Sequence, residues 1–209
     1  MKFSALSPGA APGLRRLACG IGFGACAALA AQAQPTVAVQ VHKNDGAIVV
    51  DVRAEVAAPV SVVWSVLTDY DHMSSILSDI KASVVKSRDG NHLQVAQTAD
   101  TQVGFLHFSA SSLREVDLVP MREIRSHLIS GDFQSFDGTT RITEHDGQTT
   151  IVNHSEYVPK AWLPPMIGPS VIQSETTAQY RELLAEVLRR RGAVESSPET
   201  AKPAASGRL

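Results

Sequence analysis

Residues 57–73 read AAPVSVVWSVLTDYDHM, and the two halves of this stretch have opposite characters. Pro59 suits the first position of a helix, where its missing N–H costs nothing. Val60, Val63, Trp64 and Leu67 then fall at i, i+3, i+4 and i+7, which is one helical face. The spacing predicts a short helix that breaks near Asp69. Asp69, Tyr70, Asp71 and His72 follow, all of them side chains that handle protons. They fit an acid/base cluster at a pocket mouth. They also fit the polar end of one helix and the start of the next, with Asp71 capping and Tyr70 packed, because Asp bonds readily to nearby backbone amides. A second short helix or turn over 71–77 then carries Met73, Ile76 and Leu77 inward.

Working outward, the flanks are strands. Val37, Val39 and Val41 alternate with polar or small residues before the Asn44-Asp45-Gly46 turn, and extended chain resumes from Ile48 to Val56. After the helical stretch come IKASVVKS (80–87), HLQVAQTAD (92–100) and FLHFSASSLREVDL (105–118). REIRSHLISGDFQSF (122–136), TTRITEH (139–145) and QTTIVNHSEYV (148–158) follow. Turn signals at Asp89-Gly90, Pro120, Asp137-Gly138 and Asp146-Gly147 punctuate them, so the pattern predicts an antiparallel meander. The prolines of PKAWLPPMIGPS (159–170) exclude regular structure. A long helix is expected from an N-cap at Ser170 to about Arg191. Ile172, Thr176, Tyr180, Leu183, Leu184 and Val187 mark its buried stripe, and Arg189 to Arg191 favour the negative end of its dipole.

The class is therefore α+β: a curved antiparallel sheet around a long C-terminal helix, with two short helices after the first strand. A sheet must bury one face, and the last helix is the long apolar one available to cover it. A strongly curved sheet gripping one helix leaves a gap, so an internal cavity is expected.

The ends of the chain read differently. Arg15 and Arg16 precede LACGIGFGACAALA, which runs into Ala31-Gln32-Ala33, an A-x-A cleavage pattern. This reads as an export signal over 1–33, too short to span a bilayer, with the mature chain starting near Gln34. Phe23-Gly24-Ala25-Cys26 is a poor lipobox, and the residues around the arginine pair fit twin-arginine export poorly. The expected location is the periplasm. Both cysteines, Cys19 and Cys26, lie in the leader, so the domain has no disulfide, thiol nucleophile or cysteine-ligated metal. Without Lys2, Arg15 and Arg16 the balance is 16 basic to 21 acidic residues, net −5. That balance argues against nucleic acid and against simple electrostatic adhesion to anionic lipid. The domain is expected over 34–191, with a disordered tail, rich in Ala, Ser, Pro and charge, over 192–209.

The order of elements resembles the helix-grip fold of the START-like superfamily, also called SRPBCC. The motif at 57–73, an Ala-Pro followed by Val-Trp and Leu-x-Asp-Tyr, is similar to the family's entry segment. Ser130-Gly131-Asp132-Phe133 resembles a second family motif, in the middle of the meander. Pro159 followed by Trp162-Leu163-Pro164 resembles the segment that leads into the closing helix. The resemblance covers about 48–190 and is greatest to the polyketide cyclase/dehydrase and coenzyme Q-binding START-like proteins of bacteria. It implies a cavity for a hydrophobic molecule but no reaction: members bind sterols, phospholipids, quinones, polyketides or plant hormones, and only some are enzymes. The shared motifs are those of the scaffold, so no catalytic set carries over. Positions 69–72 recur in non-enzymatic members, which favours the capping reading there.

The pocket wall is read from strand alternation. Ile124, Ser126, Leu128 and Ser130 should face inward, because the alternate set includes Glu123 and Arg125, which belong in water. On the last strand either Ile151, Asn153, Ser155 and Tyr157 or the opposite set faces in, and the first is favoured. Phe133, Thr176 and Tyr180 complete the expected pocket, while the faces of Phe105, Phe108 and Phe136 are left open. Trp162, Leu163, Met166 and Ile167 fit either a lid, with transient membrane contact through the 159–169 loop, or a plug beneath the helix. The seven histidines show no HxH or HxxxH spacing, so they read as surface residues, and no metal or cofactor is expected. Taking turn centres near 118, 138 and 147, His127 should lie opposite about Ala110 and Gln148, and His154 opposite about Thr140. No Gly-x-Ser-x-Gly, phosphate loop or dinucleotide fingerprint occurs. The leading expectation is an exported, non-catalytic carrier of a lipid, quinone or polyketide-like molecule. The alternative is a cyclase or dehydratase in which Tyr157 or Tyr180 moves protons.

Overall fold

The computed structural model describes residues 34–103, 106–160 and 168–196. Two strands, β1 (Thr36–Asn44) and β2 (Ala47–Val56), open the domain. Helix α1 (Val60–Leu67), a 3₁₀ turn (Tyr70–His72) and α2 (Met73–Ile76) follow. Six strands come next: β3 (Ile80–Asp89), β4 (His92–Val103), β5 (Leu106–Val119), β6 (Glu123–Gly131), β7 (Phe133–His145) and β8 (Gln148–Pro159). Helix α3 (Pro169–Ser196) closes the domain.

All eight strands form one curved antiparallel sheet in the order β1-β2-β8-β7-β6-β5-β4-β3. The meander from β3 to β8 returns to β2, so residues 57–79 must carry the chain from β2 to the far edge of the sheet. This crossing places α1 and the 3₁₀ turn over the sheet's inner face. The sharpest corners are hairpins in which both central residues take positive φ, Asp45-Gly46 (46° and 87°) and Asp146-Gly147 (51° and 73°). Their twist matches that of the flanking strands.

Helix α3 grips the β1–β2 side of this sheet. Leu183, Leu184 and Val187 pack with Val62, Val63 and Val66 of α1 and with Ala54, Val56, Ile142 and Ile151. Nearer its start, Ile172 and Tyr180 rest on Val39, Ile48, Val50 and Val52. The other half of the sheet has its own cluster, with Tyr70 seated among Leu93, Val95, Val116 and Ile124. At the junction of sheet and insert, the fully buried Thr149 donates from Oγ1 to the Ala58 carbonyl (2.6 Å).

Three sequence expectations change. The long helix begins at Pro169, not after a cap at Ser170, because proline is pre-organised for the first helical position. It runs five residues past Arg191, to Ser196, because Gly192 is followed by helix-compatible residues and Arg191 pairs with Glu195 one turn on (3.4 Å). Asp137-Gly138 is no turn: both lie inside β7, and the chain reverses at Asp132 instead. There Gly131 takes φ +139°, and Asp132 clamps Ser111 by accepting its N–H at Oδ2 (2.7 Å) and donating its own N–H to the Ser111 carbonyl (2.9 Å). Above His127–Asp137 the two strands part, β6 staying with β5 and β7 with β8.

Candidate functional site

Four strands and the helical insert converge on one inner cavity of about 130 Å³. Leu67 and Tyr70 enter from the insert, Arg114 from β5, and Ile124 and Ser126 from β6. Phe136, Gly138 and Thr140 of β7 and Asn153 of β8 complete the wall. Strand alternation explains these positions. Val116 is fully buried on the inner face of β5, and Arg114 lies two residues before it on the same face. Ile142, also buried, places Thr140 and Gly138 inward in the same way. Gly138 leaves room for its neighbour: a Cβ there would lie 3.3 Å from the Phe136 ring.

An aromatic trio adjoins the cavity. Phe136 stacks on Tyr157 with ring centres 6.2 Å apart, and Phe133 meets Tyr157 edge-on at 5.6 Å. The Arg114 guanidinium sits over the Phe136 ring, 5.2 Å from its centre. Arg114 Nη2 donates to Gln97 Oε1, and Gln97 is itself oriented by donating from Nε2 to Ser83 Oγ (3.0 Å). Across the cavity Asn153 Nδ2 donates to Thr140 Oγ1 (2.9 Å). Burial presses the Arg114 pKa below its ordinary range.

The three tyrosines of the chain share one electrostatic condition. Burial pushes Tyr70 up to about 12, even against the positive charges of Arg114 and Arg88. Burial alone pushes Tyr157 up to about 12 and Tyr180 higher still. All three therefore stay neutral donors at working pH. Their pKa values are raised above the unfolded value near 10, so their contribution to stability is full below about pH 10 and is lost as pH rises toward 12. Alkaline titration followed by phenolate absorbance should show ionisation delayed past pH 11 and coincident with unfolding. A free transition near pH 10 would contradict the packing.

The proton-handling quartet 69–72 divides. Asp69 accepts from Arg190 Nη2 (2.6 Å) of α3 and lies 2.6 Å from His72 Nδ1. Partial burial works to raise the Asp69 pKa, but these two hydrogen bonds outweigh it and hold it below the ordinary value. Arg190 also donates to the Ser65 carbonyl (3.1 Å), so Asp69 ties the end of α1 to α3. Asp71 does not cap a helix: its Oδ1 accepts the Val85 N–H (2.8 Å) beside the register shift of β3. Of the four, only Tyr70 lines the cavity.

Ile124, Ser126 and Asn153 line the cavity, and Leu128 is half-buried on the same strand face. Phe133 and Tyr157 sit in the adjoining trio. Ser130 is exposed: Ile129 is an extra residue opposite the Leu113–Arg114 step, which pairs Ser130 with outward-facing Leu113 and turns it over. Ile151 is buried in the α3 core, Tyr180 packs against β2, and Thr176 is half-buried on α3. None of these three lines the cavity. Trp162, Leu163, Met166 and Ile167, and Phe105, lie outside the described residues.

Sequence reasoning did not assign Leu67, Tyr70, Arg114, Phe136, Gly138 or Thr140 to the site. Arg114 was legible in principle, because Val116 and Leu118 share its face while Glu115 and Asp117 hold the other. One histidine register shifts and one holds. His127 faces Glu115 and Asp137 instead of Ala110 and Gln148, because the β5–β6 and β6–β7 reversals lie near 121 and 132 and not at 118 and 138. His154 faces Thr139, one residue from the expected Thr140, and Asp51 on its other side. Three outer-face histidines each meet an aspartate directly across the ladder: His92 with Asp117, His127 with Asp137 (2.5 Å) and His154 with Asp51 (2.7 Å). Among the described residues no three potential metal ligands gather.

Comparison with known proteins agrees with this geometry. Residues 56–182 match the family described as polyketide cyclase / dehydrase and lipid transport. No curated protein matches the chain. Among solved structures, the Zhui aromatase/cyclase from Streptomyces sp. R1128 superposes with a TM-score of 0.57 at 18% identity, over 72% of this chain and 97% of that one. A START superfamily protein from Mycobacterium smegmatis gives 0.54 at 18% identity, over 70% and 98%. The STAR-related lipid transfer protein from Xanthomonas axonopodis gives 0.55 at 11% identity, over 72% and 98%. At these identities the likeness is one of fold.

Proposed function

The chain belongs to the polyketide cyclase / dehydrase and lipid transport family, whose fold binds hydrophobic small molecules, and on that premise we propose that it is an exported carrier holding one such molecule in the inner cavity. The observation that carries the reading is the wall itself: Leu67, Ile124 and Phe136 supply apolar surface, with a few polar groups set among them. Its acids support a non-catalytic role. Asp69 and Asp71, the residues best suited to acid/base work, are committed to α3 and to β3. The cavity is small beside the roughly 300–1,000 Å³ of a pocket that engulfs a drug-sized ligand. It suits one ring or head group, with the rest of the ligand lying on Phe133, Phe136 and Tyr157. Export rests on the leader-like sequence over 1–33, and membrane contact on the apolar residues among 159–169. The ligand class is a lipid, a quinone or a polyketide-like molecule.

Native mass spectrometry of protein taken from its own compartment should reveal a bound small molecule. A fluorescent lipid should bind and be displaced by extracts of that compartment. Neither result appearing would overturn the carrier. A cyclase or dehydratase is the second reading, favoured by Tyr70 and Arg114 facing one cavity. It moves the proton-transfer role from Tyr157 and Tyr180 to Tyr70, because Tyr157 sits in the adjoining aromatic trio and Tyr180 packs against β2, and neither lines the cavity. Turnover of a polyketide-like substrate that survives Tyr70→Phe would remove that role.

A further inference from the structure

We propose that Arg114 is the anchor for an acidic ligand, and that the molecule carried is an amphiphile with a carboxylate head. This deepens the carrier reading and rests on it. A guanidinium is ordinarily buried only with a counter-ion, because an unpaired buried charge is costly. Arg114 has none among the described residues: the one ionisable neighbour it feels is the phenol of Tyr70, which is neutral at working pH. Its Nη2 is bonded to a neutral amide, and its Nε is buried with no partner at all. The face of Phe136 compensates only in part, since a ring quadrupole is weaker than a full charge.

The acids nearest in sequence, Glu115 and Asp117, belong to the outer face, where Asp117 is taken by His92. The missing negative charge can therefore enter from the cavity that Arg114 lines. Neutral donors stand ready for a second oxygen. Asn153 donates to Thr140 Oγ1, which leaves the Thr140 hydroxyl proton free to point elsewhere, and Ser126 lines the same wall. One guanidinium and neutral donors in about 130 Å³ match a singly charged carboxylate better than a phosphate dianion. The ligand body would leave the cavity across Phe136, whose ring Arg114 already holds in place.

The test compares three probes of equal chain length on the full protein: dansyl-labelled undecanoic acid, its methyl ester, and the matching alkyl phosphate. The acid should bind about tenfold tighter than the ester, the gain of one charge-assisted hydrogen bond. Arg114→Gln should weaken the acid about tenfold more than the ester, and Arg114→Lys should restore part of the difference. The wild-type ratio needs no variant, so a variant that fails to fold leaves the proposal testable. Equal binding of acid and ester overturns the anchor while leaving the carrier standing. Tighter binding of the phosphate overturns the carboxylate. Binding of none of the probes overturns the carrier and the anchor together.

Discussion

Gly131→Ala is expected to lower the melting temperature by about 10 °C, the equivalent of roughly 3–4 kcal/mol in a domain of this size. Two costs add. At φ +139° the backbone lies where L side chains are strained, at about 1–3 kcal/mol. A methyl group there would also lie 2.3 Å from the Ser111 carbonyl oxygen and 2.7 Å from the Ser112 Cα. Both are backbone atoms, so neither can swing aside, and relief requires moving β5 against β6. That shift would also loosen the Asp132 clamp on Ser111. Gly90→Ala is the control. Its φ is +56° with nothing within 4 Å of the added carbon, so it bears only the conformational cost, about 1 kcal/mol. Thermal unfolding by circular dichroism measures both. Equal losses would mean that the contact with β5 carries no weight.

Leu184→Ala should cost about 3 kcal/mol, within the usual range for emptying a core leucine site. Leu184 is 1% exposed and joins α3 to Val63 and Val66 of α1 and to Ala54 and Ile151 of the sheet. These are the residues through which the sheet grips its helix, so the loss should appear as earlier unfolding of the whole domain by chemical denaturation. Leu188→Ala, at a half-buried position one turn on, should cost about a third as much. Similar effects from both would place the centre of the grip elsewhere on α3.

The scaffold was readable where hydrophobic period and burial agree. Val60, Val63, Trp64 and Leu67 predict α1 because helical spacing and a covered face coincide there. The inward residues of β8 follow because Ile151, Asn153, Ser155 and Tyr157 alternate with His154 and Glu156. Failures arise where one residue breaks an otherwise local rule. Asp137-Gly138 has turn chemistry, but this glycine is needed for the space beneath Phe136 and not for positive φ. Ile129 adds one residue to β6 and sends Ser130 outward, which no period of two can anticipate. Arg114 defeats the rule that cations face water, and a rule that treats every arginine alike passes over it. The quartet 69–72 was half legible: Tyr70 is packed as expected, but Asp71 bonds to β3 and caps no helix, and Tyr70 also belongs to the cavity.

Gly138 carries a consequence for how such a protein could diversify. The space it leaves empty seats the ring of Phe136, and that ring in turn positions the guanidinium of Arg114. One codon at 138 thus governs the shape and the charge placement of the chamber together. Because the position is neither a turn nor a strained backbone, small side chains there would spare the scaffold. A lineage could then exchange one ligand for another by a single step, with the rest of the curved sheet left as it was.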